Sequence, residues 1–483
     1  MAIPIWVAAH SVAARSNGHV DLTLSAPSST HETSEAAPEG NSGLPDVLLI
    51  VTDDQRVHTI DWMDVVTQRV IGRGCRFTNG MIPTSVCCPS RASMLTGLFA
   101  HSTGVWSNGR SDDMPDTGGW PVFHEGGLED RTIAAWLQQA GYRTVLVGKY
   151  LNGYDDSPAG YVPPGWDRWH AFAVRNGAYF DYVLRHTDGS ETSHGQATRD
   201  YSTDVLARIA EREIRNAPSD QPLFLMFTPF AVHGPATPAP RHAGTATVGP
   251  FVAPHVNEAD VSDKPPWIAE LSLASIDRIT QQRRSSQEAL RSVDEAIDTL
   301  LDGLEEHRQL DETLVVFTSD NGHFWGEHRL RGKNMPHNAS SRVPLAMRWD
   351  GHIEPGTEDR RLALNIDVTA TILDAVGVTP ADAIEGVSLF GYDEREGFTV
   401  ESPVTDGSDG SGQKVARPGY CGYRTRRFLY VRYSGGIEEL YDYRSDPLEL
   451  TNVAGDPAQA DQLTWMRART DEQCQPRPPG YVW

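Results

Sequence analysis

The sequence predicts an α/β protein with a large, mostly parallel sheet, helices on both of its faces, and a smaller C-terminal antiparallel sheet carrying a helix. Three observations lead there. Short apolar runs at 46–51 (DVLLIV), 222–227 (PLFLMF) and 313–317 (TLVVF) fit strands buried on both faces. Stretches with helical spacing separate them, as crossover connections between parallel strands require. Beyond residue 414 the pattern changes to alternating strands around Ser434-Gly435-Gly436, a hairpin signal.

Residues 1–43 read as a disordered leader, rich in Ser, Ala, Glu and Gly from about residue 16. The apolar stretch at 3–9 lacks a preceding basic residue, so it makes a weak secretory signal, and a secreted or periplasmic location is favoured slightly over the cytoplasm. The main domain is expected over 44–400. Its first strand is 46–51. A helix follows at 132–140, stopped by Gly141, then a strand at 143–147. The stretch 267–310 reads as one or two long helices between the strands at 222–227 and 313–317, and 366–376 is a further amphipathic helix. Residues 401–413 (ESPVTDGSDGSGQ) read as a flexible connection to a small α+β unit at 414–483, with strands at 428–433 and 439–443 and a helix near 457–469.

Composition excludes several classes. With 42 basic against 65 acidic residues the net charge is −23, which disfavours nucleic acid as a partner. No apolar run approaches the ~20 residues of a membrane span. Five cysteines are too few for a disulfide scaffold. Cys75 reads as a small buried hydrophobe, and whether Cys421 and Cys474 pair is left open.

Ligands of α/β sheets bind beyond the carboxyl ends of the strands. Four predicted strands deliver chemistry-bearing groups there: Asp53 and Asp54 after the first, Lys149 after 143–147, His233 after 222–227, Asp320 and Asn321 after 313–317. Asp and Asn oxygens suit calcium or magnesium rather than zinc. The most informative stretch is Cys87-Cys88-Pro89-Ser90-Arg91-Ala92-Ser93-Met94-Leu95-Thr96-Gly97. Pro89 can open a helix and Gly97 close it, leaving Cys87 and the Arg91 cation near a helix N-terminus that favours anions.

This stretch resembles the sulfatase signature, Cys-x-Pro-Ser-Arg followed by Leu-Thr-Gly, at every fixed position. The resemblance runs from about residue 45 to 457 and implies an alkaline phosphatase-like fold. It implies that Cys87, not Cys88, is oxidised by a formylglycine-generating enzyme. A hydrated aldehyde offers one hydroxyl to attack sulfur and a second to expel sulfate intramolecularly. Asp53, Asp54, Asp320 and Asn321 would hold calcium, magnesium being possible, together with the modified Cys87. Arg91 would belong to the catalytic set, as would Lys149, His233 and Lys333, whose positions match the family's sulfate-contacting lysine, histidine and lysine. One departure concerns the usual Gly-Lys-x-His: here Leu151 and Asn152 follow Lys149-Tyr150, so the base for sulfate release is open. His323 and His328 are candidates for it, or for substrate binding with Asn152. Gly-Lys-Tyr-Leu-Asn-Gly-Tyr and Pro163-Pro164-Gly165-Trp166 are similar to the N-acetylglucosamine-6-sulfatase and heparan endosulfatase group. The implied substrate is a sulfated sugar of 6-sulfated N-acetylglucosamine type. Two alternatives are a phosphoester or phosphonate monoester hydrolase of the same superfamily, and a binding protein whose Cys87 stays unconverted.

Overall fold

The computed structural model describes residues 43–109, 117–174, 178–391, 394–403, 405–408 and 414–482. The expected leader lies outside them, apart from Gly43. An eleven-stranded sheet comprises β1 (Asp46–Thr52), β2 (Cys75–Met81), β3 (Arg143–Gly148), β4 (Arg168–Val174), β5 (Tyr182–His186), β6 (Glu191–His194), β7 (Leu223–Thr228), β8 (Thr313–Ser319), β9 (Arg342–Val343), β10 (Leu345–Arg348) and β11 (Thr357–Leu364). Their order is β9-β2-β10-β8-β1-β7-β3-β4-β5-β6, with β11 beside β2. The central strands β8-β1-β7-β3-β4 are mutually parallel. The flanking pairs β9-β2, β2-β10, β10-β8, β4-β5 and β5-β6 are antiparallel while β11 pairs β2 in parallel, so the sheet is mixed.

The two-residue period of β1 sorts its side chains between two cores. Val47, Leu49 and Val51 pack with α1 (Cys87–Thr96), α2 (Ile133–Gln139) and α5 (Asn365–Ala375). Leu48 and Ile50 pack with α3 (Ser202–Arg215) and α4 (Ile276–His307). This is why the run Val47–Val51 is apolar throughout: both faces are covered.

Local signals explain the helix ends. Thr132 caps α2, its hydroxyl accepting from Ala135 N at 3.3 Å. The stretch 267–310 becomes one turn, Pro266–Ala269, and the 32-residue α4. Helix α1 starts at Cys87, two residues before the expected opening at Pro89; proline fits there because a first-turn N–H has no helical acceptor. Gly97, with φ +70°, ends it.

A second, antiparallel sheet of β12 (Gly397–Ser402), β13 (Tyr420–Thr425), β14 (Phe428–Tyr433) and β15 (Glu438–Asp442) is followed by α6 (Ala460–Gln473). The expected flexible connection at 401–413 needs correction at 401–403 and 405–408; residues 404 and 409–413 lie outside the described residues. Glu401 and Ser402 are buried in β12, and Thr405–Ser408 pairs antiparallel with Lys414–Arg417. The small sheet therefore takes its first strand from before residue 400. The Ser, Gly and Asp content of 401–413 concealed pairing partners that lie further along the chain. Cys421 of β13 and Cys474 after α6 form a disulfide. Phe398, Val400, Leu429 and Val431 pack on Met81, Leu362 and Ile366 of the main body.

Candidate active site

Four adjacent central strands end at one place. Asp320 and Asn321 leave β8, Asp53 and Asp54 leave β1, His233 follows β7 and Lys149 follows β3. Backbone bonds lace these ends together: Asp53 N donates to Ala231 O at 3.1 Å, Asp320 N to Thr52 O at 3.1 Å, and Lys149 N to Thr228 O at 2.8 Å. Gly148 makes the last approach feasible, since a Cβ there would lie 2.1 Å from Thr228 O. Asp54 takes φ +61°, a conformation that Asp tolerates better than most residues. That turn lets two successive carboxylates face the same sulfur: Cys87 Sγ lies 3.4 Å from Asp53 Oδ1 and 3.9 Å from Asp54 Oδ1.

Cations balance these acids. Arg91, one turn along α1, donates from Nε to Asp320 Oδ2 at 2.8 Å and from Nη1 to the Lys149 carbonyl at 3.0 Å. Lys149 donates to Asp53, and its Nζ is 3.9 Å from Asp320 Oδ2. Lys333 bonds Asp54, and its Nζ lies 2.6 Å from Cys87 Sγ. His233 Nε2 and His323 Nδ1 stand 3.8 and 3.7 Å from Asp54 Oδ2. Depth divides these groups. Asp53, Arg91 and Lys149 form a buried floor, whereas the Lys333, His323 and His233 side chains are 16, 19 and 35% exposed at the mouth.

The electrostatics follow from that packing. Burial alone would raise the Asp53 carboxyl; Lys149, then His233 and Arg91, outweigh it and hold the group well below the carboxylate range. Burial likewise opposes the Asp54 charge, and Lys333, His233 and His323 overcome it. Burial, then Asp320 and Asp53, push the Cys87 thiol far up, so the bare cysteine is protonated and a weak nucleophile.

The donor chemistry fits a hard divalent cation. Three buried carboxylates converge with Asn321, whose Oδ1 is buried without a hydrogen-bond partner while its Nδ2 donates to Asp54 Oδ1 at 2.6 Å. Ligand atoms of Asp53, Asp54, Cys87 and His233 all lie within 4.8 Å of one another.

One expected residue, His328, falls elsewhere. His328 is buried between Glu258, 2.6 Å from its Nδ1, and Glu449, 3.7 Å from its Nε2, beside the C-terminal sheet. Burial opposes its charge, but these two carboxylates lift it to about 9. It faces a carboxylate cage and has no substrate-facing surface. The Asn152 side-chain oxygen is buried without a hydrogen-bond partner among the described residues; its carbonyl accepts from Trp120 N at 2.6 Å, and Leu151 before it packs into the core. Other contributors went unread in the sequence. Asn108 Oδ1 accepts from Cys88 N at 2.8 Å and fixes the start of α1. Gln282 of α4 meets His323 Nε2 at 2.9 Å, and Arg56 donates to the His323 carbonyl at 2.7 Å. Arg417 donates to the carbonyls of Arg331, at 2.6 Å, and Lys333, holding the lysine's loop. Arg56 sits inside the Asp-Asp-Gln-Arg motif and could have been found there; Asn108, Gln282 and Arg417 lie 20, 41 and 84 residues from Cys88, His323 and Lys333 and carry no local signal. The 236–266 stretch supports one wall of the mouth: Phe251 packs edge-on to Trp325, which lines a small cleft with Asp54, Arg56, Gln282 and His323.

Comparison with known proteins gives the same direction. A family model described as Sulfatase matches residues 45–378, and one described as N-sulphoglucosamine sulphohydrolase, C-terminal, matches residues 326–475. A Caenorhabditis elegans protein named putative extracellular sulfatase Sulf-1 homolog is 34% identical over 71% of this chain and 48% of its own length. The Homo sapiens N-acetylglucosamine-6-sulfatase is 31% identical over 77% of this chain and 69% of its own length. Among curated relatives, the chain spans from about a third to 60% of the length of three of the most similar. A solved structure of a protein in complex with its substrate D-glucosamine-2-N,6-O-disulfate superposes with TM-score 0.76 at 22% identity, covering 89% of this chain and 97% of that one, a likeness of fold.

Proposed function

This chain belongs to the sulfatase family, and we propose that it hydrolyses sulfate monoesters of a sulfated sugar, with a formylglycine made from Cys87 as nucleophile. The observation that carries the reading is the meeting of Cys87 with three buried carboxylates and two lysines at the ends of four adjacent strands. Asp53, Asp54, Asp320 and Asn321 would hold calcium, whose charge would polarise the nucleophile's hydroxyl and offset that of sulfate. The hydrated aldehyde supplies one hydroxyl for attack on sulfur and a second whose deprotonation expels sulfate.

The chain's own side chains do the remaining work. Arg91 holds Asp320 and the Lys149 carbonyl in register, so the floor keeps its shape as charge moves. Lys333, at hydrogen-bond distance from Cys87 Sγ, is set to bind a sulfate oxygen. His233 stands at the open side, which suits protonation of the leaving alcohol. His323 takes the second place at the mouth. The relatives' names support a 6-sulfated glucosamine unit as the alcohol. The Cys421–Cys474 disulfide and the extracellular relative support a location outside the cytosol, after maturation by a formylglycine-generating enzyme.

The test has two arms on protein from its own host. Mass spectrometry of the Cys87 peptide should find the aldehyde in place of the thiol. Parallel assays should find 6-sulfated N-acetylglucosamine and an aryl sulfate turned over faster than the phosphate ester of the same aryl alcohol. Turnover by protein with a wholly unmodified Cys87 sinks the nucleophile; dominant phosphate or phosphonate turnover sinks the sulfatase reading.

A further inference from the structure

Across the sheet from β1, on the side of α3, a cavity of about 590 Å³ opens between that helix and β4, β5 and β6. Strand spacing alone sets its strands about 14–24 Å from the line of β1. Its size is that of a small-ligand site. Its lining includes Arg168, Arg208, Arg212, His170, His186 and His194, with Asp188 as the one carboxylate among the lining residues. In a chain of net charge −23 this concentration of guanidinium is unusual.

The charges are cancelled only in part: His194 Nδ1 lies 3.8 Å from Asp200 Oδ1, and Glu213 meets Arg168 and His170. Glu213, behind the cavity and buried, is consumed by Arg168 at 3.0 and 3.1 Å, Arg143 at 3.3 Å and His170 at 3.1 Å. Asp188 is engaged by Ser190, whose hydroxyl lies at 2.6 Å. Arg208 gives one N–H to the Arg199 carbonyl at 2.8 Å and has no carboxylate partner among the described residues. Arg212 has no side-chain hydrogen bond or ion pair among the described residues, and both arginines are exposed one turn apart on α3. Burial, then His170 and Arg212, hold His186 below its ordinary value, which marks the same positive field. Beside the guanidinium groups lie the apolar Val205 and Ile209 and the hydroxyls of Thr187 and Thr192. The forked cations of Arg208 and Arg212 suit the sulfate oxygens of a sulfated sugar; Val205 and Ile209 are buried in the core, and the Thr187 and Thr192 hydroxyls are engaged by Trp169 N and His186, so the two arginines carry the recognition.

We propose that this cavity is an exosite that binds a second sulfated sugar of an extended, polyanionic saccharide whose terminal residue occupies the catalytic cleft. The inference rests on the sulfatase reading above, and it deepens it: the substrate is a chain rather than a monosaccharide. Anchoring a remote sulfate adds affinity for the chain without touching the chemical step.

The experiment uses Arg212→Ala and the double variant Arg208→Ala/Arg212→Ala, neither of which removes a structural ion pair. On a size-defined glucosamine-6-sulfated oligosaccharide the double variant should raise KM at least about tenfold, as loss of two charge-assisted contacts implies. Its kcat, and both constants on the monosaccharide sulfate, should stay as in wild type. Binding is measured separately in the Cys87→Ala background, which needs no turnover: the oligosaccharide should bind about tenfold weaker when Arg208 and Arg212 are replaced. Equal KM on the oligosaccharide for wild type and double variant overturns the exosite. So does binding in which inorganic sulfate competes as well as the oligosaccharide, since the sugar would then contribute nothing. If wild type hydrolyses no sulfate ester while arginine-dependent binding persists, the catalytic reading fails and the site stands.

Discussion

Arg91→Met removes the one guanidinium in the buried floor and keeps much of its volume. Asp320, fully buried, then loses its 2.8 Å partner, and the Lys149 carbonyl loses its 3.0 Å donor. Breaking a buried ion pair costs about 3–5 kcal/mol. Lys149 Nζ, 3.9 Å from Asp320 Oδ2, offsets part of that, so about 3 kcal/mol is expected from the pair, with about 1 kcal/mol more for the stranded carbonyl. At roughly 2 cal/mol/K per residue the ordered chain unfolds with an entropy near ~0.9 kcal/mol/K, so about 4 kcal/mol lowers Tm by about 4 °C. The measurement is calorimetry and urea unfolding of chelator-treated protein, so that no bound ion enters the comparison. Arg91→Met/Asp320→Leu removes both charges and should be less destabilised than the single variant, although Asp54 N then loses its Asp320 acceptor. A Tm within about 1 °C of wild type for Arg91→Met, or additive losses in the double variant, would refute the account of a charge-balanced floor.

Three further outcomes are expected. Cys87→Ala should abolish turnover while Cys88→Ala, which trims a core contact, keeps much of it at equal folded fraction; equal loss in the two would remove Cys87 from its role. Opening the Cys421–Cys474 disulfide by Cys421→Ser/Cys474→Ser should cost about 4 kcal/mol in urea unfolding, from the 53-residue separation it closes, and an unchanged midpoint would contradict this. Glu449 is buried, which raises a carboxyl, yet His328, His337 and Tyr443 bring it to about 2 against an ordinary 4.5. A depressed carboxyl contributes stability that is present above pH 4.5 and lost as pH falls toward 2. Unfolding followed from pH 6 to 2 should therefore show a steeper acid loss in wild type than in Glu449→Gln, and parallel slopes would argue against the cage.

Much of this protein was legible in one dimension because its signals are local. A strand covered on both faces is apolar along nearly its whole length, so DVLLIV, PLFLMF and TLVVF declare themselves although Asp46 and Thr313 open two of them. The residues that follow such strands fall at one rim by geometry, which brought Asp53, Asp54, Lys149, His233, Asp320 and Asn321 together. What sequence could not decide was pairing across long separations. His328 follows the Asp-Asn pair by only a few residues, yet its neighbours are Glu258 and Glu449. Glu401 and Ser402 look like a linker until β13 supplies a partner strand. Arg417 reaches the Lys333 loop from 84 residues away, and the arginines of α3 form a cavity only because β4 to β6 curl beside them. Spacing along a chain sets which face a side chain takes; only the closed fold sets which charge that face then meets.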